Sequence, residues 1–178
     1  MSYCNESPIL STHSRIVTLT FKREELLYDV KNYSYVIGDT LGEETEHGRH
    51  QLFDIGEPGN VDRSTRVLNM AHAECVEMLY PYTKDGVAEC DAYCDRLKEP
   101  NTYYITLDLP RGFSTTTVEL LEHLIHEYLV CRVLSDWLSI TCPEKQEVWD
   151  IKVMQLREKI QTSLVSRCGV TKRKCKPF

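Results

Sequence analysis

The sequence lacks any apolar run that could cross a membrane, since charged residues interrupt each apolar stretch before the roughly twenty residues that a spanning helix needs. The first residues, "MSYCNESPILSTHSR", contain no basic start followed by an apolar run, so we expect no secretory signal. Residues 1–14 are instead predicted to be a polar N-terminal leader. A hydrophobic content of 42% with 27% charged residues predicts one globular domain over residues 1–178, without a membrane partner.

The sequence also lacks the short motifs that mark many enzymes. It has no phosphate-binding glycine loop, no nucleophile elbow and no glycine fingerprint after a strand. Its eight cysteines are irregularly spaced, which favours free thiols over a disulfide framework. Cys90 and Cys94 have no second pair to complete a zinc site, whereas Cys75 and Cys131 fall where helices are expected, as small apolar residues. These observations predict a protein that is not an enzyme and binds no cofactor or metal.

Positive charge is concentrated at the C-terminus of an otherwise acidic chain. The net charge is −6, and the last stretch, "SRCGVTKRKCKPF", carries five lysines and arginines and no acid, so the remainder carries −11 (−6 − 5). Residues 170–178 form a predicted basic arm. Its candidate partner-binding side chains are Lys172, Arg173, Lys174, Lys176 and Phe178. Such an arm is either a solvated terminus or a segment that docks on an acidic neighbour or on phosphate.

Two short segments alternate apolar and polar residues and are predicted to be β-strands. They are "RIVTLTF" near the N-terminus and "NTYYITLDLP", which ends at Pro110. Because the rest of the chain is mostly helical, these two strands most simply pair with each other.

Four longer segments have the helical spacing of apolar residues. They are residues 22–41, a segment from residue 60 or 62 to the "YPYT" motif, residues 114–141 and residues 143–169. The polar, glycine-rich residues 42–59 are predicted to be a loop that contacts other molecules. The predicted fold class is therefore mainly α, a four-helix bundle with a small two-stranded β ribbon and extended termini.

The segment "EHLIHE" raises the question of a metal site. In a zincin helix, two histidines lie four residues apart and a glutamate directly follows the first. Here His123 and His126 are three apart and the glutamate follows the second. A di-iron bundle needs a glutamate three residues before each histidine, and those positions hold Leu120 and His123. A metal-dependent enzyme centred on His123 and His126 is therefore only an alternative hypothesis.

The apolar face of the same predicted helix changes side along its length. From Val130 onward, the sector that holds the histidines becomes apolar, and the opposite sector becomes polar. A helix of an isolated bundle keeps one buried side, so the second half is predicted to pack on something different, such as a neighbouring subunit or the ribbon. The candidate partner-binding residues of this half are Val130, Val133, Leu134 and Trp137.

The order of elements resembles that of a family of phage proteins. The resemblance rests on "FKREELLYDVKNYSYVIGD", "NVDRSTRVLNMAHAECVEMLYPYT", "LLEHLIHEYLVCRVLSDWLSIT" and "KRKCKPF". These segments, in this order, are similar to the head-tail connector, or adaptor, proteins of tailed bacteriophages and prophages. The resemblance covers residues 15–178, but it carries over no defining residue.

The resemblance implies a structural virion protein that forms a homo-oligomeric ring between portal and tail. It implies assembly in the bacterial cytoplasm, contact with portal and with tail or neck proteins, and non-specific contact with DNA in the channel. Three alternatives stay open: a stopper or tail-completion subunit of the neck, the metal-dependent enzyme described above, and a small helical nucleic-acid-binding regulator that uses the basic arm.

Overall fold

The computed structural model describes residues 14–41, 46–80, 82–83, 99–110 and 112–165 of the chain. Its strands β1 (Ser14–Lys22) and β2 (Thr102–Pro110) pair antiparallel, with Leu19 opposite Ile105. Burial alternates along β2, so that one face of the ribbon packs on the helices and the other face is exposed. The two-stranded ribbon predicted from the sequence is confirmed.

The described residues form five helices, four of them long. They are α1 (Arg23–Asp39), α2 (Glu46–Phe53), α3 (Pro58–Met78), α4 (Thr115–Thr141) and α5 (Pro143–Val165). Pro143 starts α5 because proline fits the first helical turn, whose amide has no acceptor within the helix. The mainly helical fold class is confirmed, and the long helices match the four that the sequence predicts. Except for Ser14, the predicted leader and the basic arm lie outside the described residues.

The prediction of a loop over residues 42–59 is wrong in part, because α2 and a short 3₁₀ turn, Asp54–Gly56, lie within it. Leu52 and Ile55 anchor this segment in the core, with exposures of 0% and 2%. The Ser34 hydroxyl of α1 donates a hydrogen bond to the Leu52 carbonyl oxygen. A few buried apolar side chains therefore organise a segment whose composition is typical of a loop.

Helix α4 is the central helix of the fold. It contacts α1, α2, α3 and α5. Its first half buries one side only, through residues such as Leu121 and Ile125. Between Tyr128 and Leu138, by contrast, buried side chains occur on most sides of the helix. The second half of α4 thus forms the middle of the hydrophobic core, and the other helices are arranged around it.

Gly38 lets α2 lie close to the last turn of α1. A Cβ atom at this position would lie 2.5 Å from Cε1 of Phe53, whose ring stacks on Tyr35 with centroids 4.5 Å apart. Displacing this ring would cost about 1–3 kcal/mol, whereas replacing glycine in a helix gains about 1 kcal/mol. We therefore expect Gly38→Ala to lower the free energy of unfolding by about 1 kcal/mol, measured by urea denaturation.

The matched control for this change is Gly59→Ala in α3. No atom lies within 4 Å of the Cβ position at Gly59, so alanine meets no obstacle there. This variant is expected to gain about 0.5 kcal/mol, because alanine reduces the entropy of the unfolded chain. A stabilising Gly38→Ala would contradict the close packing of Phe53 against α1.

Candidate functional site

The second half of α4 packs within its own chain. Val130 and Leu134 are 0% exposed, Val133 is 2% exposed and Trp137 is 8% exposed. All four belong to the hydrophobic core of the described residues. The additional packing partner that the change of face predicts is therefore supplied by the surrounding elements of the chain. These four candidate partner-binding residues are not on the surface of the structure.

The polar side of this half-helix also has partners within the chain. Asp136 accepts a bond from Arg63 of α3, with Nη2 and Oδ2 2.9 Å apart. Arg132 lies 3.7 Å from a carboxylate oxygen of Glu74, also on α3. The Ser135 hydroxyl donates to Asp150 of α5. The polar residues that follow Val130 thus face α3 and α5, and the reversal of the apolar face reflects a helix that is enclosed on several sides.

The two histidines of α4 do not form a metal centre with other described residues. His123 is exposed, whereas Nε2 of His126 lies 2.8 Å from Oδ2 of Asp29 on α1. Among the residues that the structure describes, no three histidine, cysteine, aspartate or glutamate side chains converge as ligands for one ion. The pair His126–Asp29 therefore joins α4 to α1 at a partly exposed surface.

A half-buried network around Glu127 joins α1, α4 and α5. Its carboxylate oxygen Oε1 accepts hydrogen bonds from Tyr33 Oη at 3.1 Å and Lys152 Nζ at 2.5 Å. The thiol of Cys131 donates to the same oxygen at 3.7 Å. The Lys152 ammonium also lies 5.1 Å from the Tyr33 ring centroid and 4.9 Å from that of Trp149. The single charge of Lys152 thus contacts both a carboxylate and two aromatic faces.

The pKa values in this network follow from burial and from the Glu127–Lys152 pair. Burial alone would raise the pKa of Glu127, but the Lys152 charge and the donated hydrogen bonds outweigh it and lower that pKa. Burial would lower the pKa of Lys152, yet Glu127 raises it. Burial and Glu127 together raise the pKa of Cys131 to about 12, so its thiol stays protonated at neutral pH. The network holds three helices together and offers no activated nucleophile.

The structure shows an exposed apolar surface that sequence reasoning missed. Helix α5 buries Leu156 and Ile160 on its inner side, as its predicted apolar stripe requires. On its outer side, Val148, Ile151 and Met154 are 68%, 48% and 60% exposed. We call these three residues the α5 outer surface. The spacing of three between these residues is visible in the sequence. Because α5 has apolar residues on both its inner and its outer side, however, the sequence pattern does not show a separate outer stripe.

A groove between α3 and α5 is the second surface feature. It encloses about 570 Å³ and is lined by Met70, Ala73, Glu74, Glu77, Met78, Tyr128, Arg157 and Gln161. Met70 is 50% exposed, and the charged groups that line the groove are the carboxylates of Glu74 and Glu77 and the guanidinium of Arg157. Glu74 also accepts a hydrogen bond from Tyr128 and lies near Arg132. We call it the α3–α5 groove. A segment with both basic and apolar side chains would fit this chemistry.

The candidate residues of the basic arm, Lys172, Arg173, Lys174, Lys176 and Phe178, lie outside the described residues. Of the helices that the structure describes, none has the length and apolar character needed to cross a bilayer.

Comparisons of the chain with models of protein families, with curated proteins and with solved structures found no match.

Proposed function

We propose that this protein is a structural subunit of a tailed-bacteriophage virion, and that copies of it form a ring between portal and tail around the DNA channel. The proposal rests on the sequence resemblance and on the confirmed mainly helical fold with its β ribbon. A stopper or tail-completion subunit of the neck is the alternative position within the same assembly. Such a protein functions through the surfaces it presents and needs no catalytic centre.

The structural observation that best supports assembly into a ring is the α5 outer surface. Three large apolar side chains one turn apart, with no cover from the described residues, are typical of a helix that meets another protein. In a ring, one surface of each subunit meets a different surface of the next. We propose that the α5 outer surface is one side of that contact. It takes the place of the buried residues Val130, Val133, Leu134 and Trp137 as the candidate contact.

The basic arm has a matching surface on the described residues. The α3–α5 groove contains Glu74 and Glu77 beside the exposed side chain of Met70. The arm, residues 170–178, combines four positive charges with a terminal phenylalanine. We propose that the arm of one subunit binds in the groove of its neighbour, where Glu77 would pair with a basic side chain and the aromatic ring would cover apolar surface.

The variant Ile151→Glu tests the ring contact. A carboxylate placed in a buried apolar contact must lose its hydration without a partner, so we expect self-association to weaken at least about tenfold. The monomer should unfold as the unmodified protein does, within about 0.5 kcal/mol, because Ile151 lies on the surface. Sedimentation velocity and negative-stain electron microscopy, with the chain alone and with portal and tail proteins, measure the assembly.

Gln155→Glu is the matched control, because it adds the same charge to an exposed position one turn further along α5 without removing apolar area. It should leave assembly nearly unchanged. A chain that stays monomeric with and without portal or tail proteins would refute the virion proposal. Assembly that Ile151→Glu leaves intact would refute only the role of the α5 outer surface.

A further inference from the structure

The ribbon has two outer edges, and the hydrogen bonds show which backbone groups point toward each. In an antiparallel pair, opposite residues alternate between those that bond to each other and those whose backbone groups point away. The amide of Arg23 donates to the carbonyl of Asn101 at 3.0 Å, which continues the ladder by one bonded pair. Pairs with an odd-numbered β1 residue, such as Leu19 with Ile105, are therefore the bonded ones.

Contacts of β2 support the same assignment. The Asp108 amide donates to the Tyr82 carbonyl at 2.9 Å, so it points away from β1. The Tyr104 carbonyl oxygen lies 3.0 Å from Nε2 of His72 on α3, so it also points away. Asp108 lies opposite Ile16, and Tyr104 lies opposite Thr20. The outer edge of β2 is therefore partly covered by α3 and by Tyr82.

The outer edge of β1 has no comparable cover in the described part of the chain. By the alternation above, the backbone N–H and C=O groups of Ile16, Thr18 and Thr20 point to this edge. Outside the ladder, none of their backbone groups is bonded to another described backbone group. The three side chains are exposed on the outer face, where Ile16 is 72% exposed.

β1 has a charged residue near each end, Arg15 and Lys22, but between them its edge carries none of the devices that keep strand edges apart. Natural edge strands are protected by lysine, proline, bulges or covering elements. From Ile16 to Phe21 the strand has no charge and no proline, and its register with β2 runs without a bulge. Backbone donors and acceptors that have no partner among the described residues are complementary to an extended polypeptide backbone.

We propose that the outer edge of β1 pairs antiparallel with the outer edge of β1 in a second copy of this chain, which makes a four-stranded sheet across a two-fold axis. With Thr18 on the axis, Thr18 of each copy exchanges two hydrogen bonds with the other, and Ile16 lies opposite Thr20 of the second copy. Arg15 then lies opposite Phe21 of the second copy, so no like charges oppose each other. This contact is independent of the proposed ring, which needs a different, non-self-complementary surface.

The variant Thr18→Pro tests the pairing. Proline removes the backbone N–H that Thr18 would donate to a carbonyl oxygen of the second copy. This N–H points away from β2, so the β1–β2 ladder is kept. Because Thr18 lies on the two-fold axis, one substitution removes both bonds of the central pair. We expect dimer formation, measured by sedimentation equilibrium, to weaken at least about tenfold.

Thr106→Pro is the matched control, since Thr106 lies directly opposite Thr18 and its amide points to the other edge of the ribbon. We expect this variant to dimerise as the unmodified chain does. Dimers that tolerate Thr18→Pro, or an equal loss with Thr106→Pro, would overturn the assignment of the edge.

Amide hydrogen exchange in the unmodified protein tests the pairing without any substitution. The amides of Val17 and Leu19 donate to β2 and should be protected at all protein concentrations. The amides of Ile16, Thr18 and Thr20 should become protected only at concentrations where the dimer forms. Protection of these three in the monomer would show that the chain covers its own edge. Either that result or rapid exchange of these three amides at all concentrations would overturn the proposed pairing. Neither result bears on the proposed ring contact, which the Ile151→Glu variant tests separately.

Discussion

Replacing Leu134 by alanine is expected to lower the free energy of unfolding of the isolated chain by about 3 kcal/mol. Leu134 is 0% exposed in the second half of α4, which other helices surround. The variant loses the transfer free energy of the deleted carbon atoms and leaves a cavity that the packed neighbours fill only in part. For a domain of this size, such a loss lowers the melting temperature by about 10 °C.

Leu120→Ala is the matched control on the same helix, because Leu120 is 48% exposed. Its substitution should change the free energy of unfolding by less than about 0.5 kcal/mol. Urea denaturation at two protein concentrations separates a core role from an interface role. A core residue gives a loss that does not depend on concentration, whereas an interface residue destabilises only the associated protein. Equal stability of the Leu134→Ala and Leu120→Ala monomers would contradict the packing of α4.

Most of the fold could be predicted from local patterns. The alternation in "RIVTLTF" is enough to place β1, because one face of the ribbon is buried and the other is not. Pro143 marks the start of α5, and Ser114 precedes α4, so both boundaries have signals in the sequence. The pairing of β1 with β2 followed from having two strands and no other partner for either, whereas their antiparallel direction is a finding of the structure.

Helix α2 could not be predicted in the same way. Its residues are polar except near Phe53, and its position depends on contacts with α1, such as that of Phe53 with Gly38. Tertiary packing of this kind overrides local composition, because the burial of a few side chains such as Leu52 outweighs a weak intrinsic preference.

Local sequence patterns predicted even less of the candidate site than of the fold. The change of face in α4 was visible in the sequence, but a pattern cannot tell whether the second partner lies in the same chain or in another. The structure places Val130 and Trp137 in the core and leaves the α5 outer surface exposed. The Glu127 network could not be predicted either, since Tyr33 and Lys152 are far from Glu127 in sequence and meet only when α1, α4 and α5 pack.

The variant Lys152→Met is expected to lower the free energy of unfolding by about 1–2 kcal/mol at pH 7. Methionine keeps an unbranched side chain against the rings of Tyr33 and Trp149 but removes the ammonium group that donates a hydrogen bond to Glu127. A half-buried carboxylate without its cation is unfavourable, although partial exposure of both groups reduces the cost below that of a fully buried pair. Lys159→Met is the control, because Lys159 is an exposed lysine on the same helix. Its substitution should lower the free energy of unfolding by less than about 0.5 kcal/mol.

The pH dependence of this loss identifies the Glu127–Lys152 pair as its cause. Because Lys152 lowers the pKa of Glu127 below its usual value of 4.5, the ionised carboxylate stabilises the fold above that pH. This contribution disappears as the pH falls through the lowered pKa. The Lys152→Met variant lacks it at every pH, so the difference between the two proteins should be full at pH 7 and shrink below pH 4.5. Urea denaturation across this range measures the difference, and a loss that stays constant down to pH 3 would assign the effect to packing of the side chain instead of its charge.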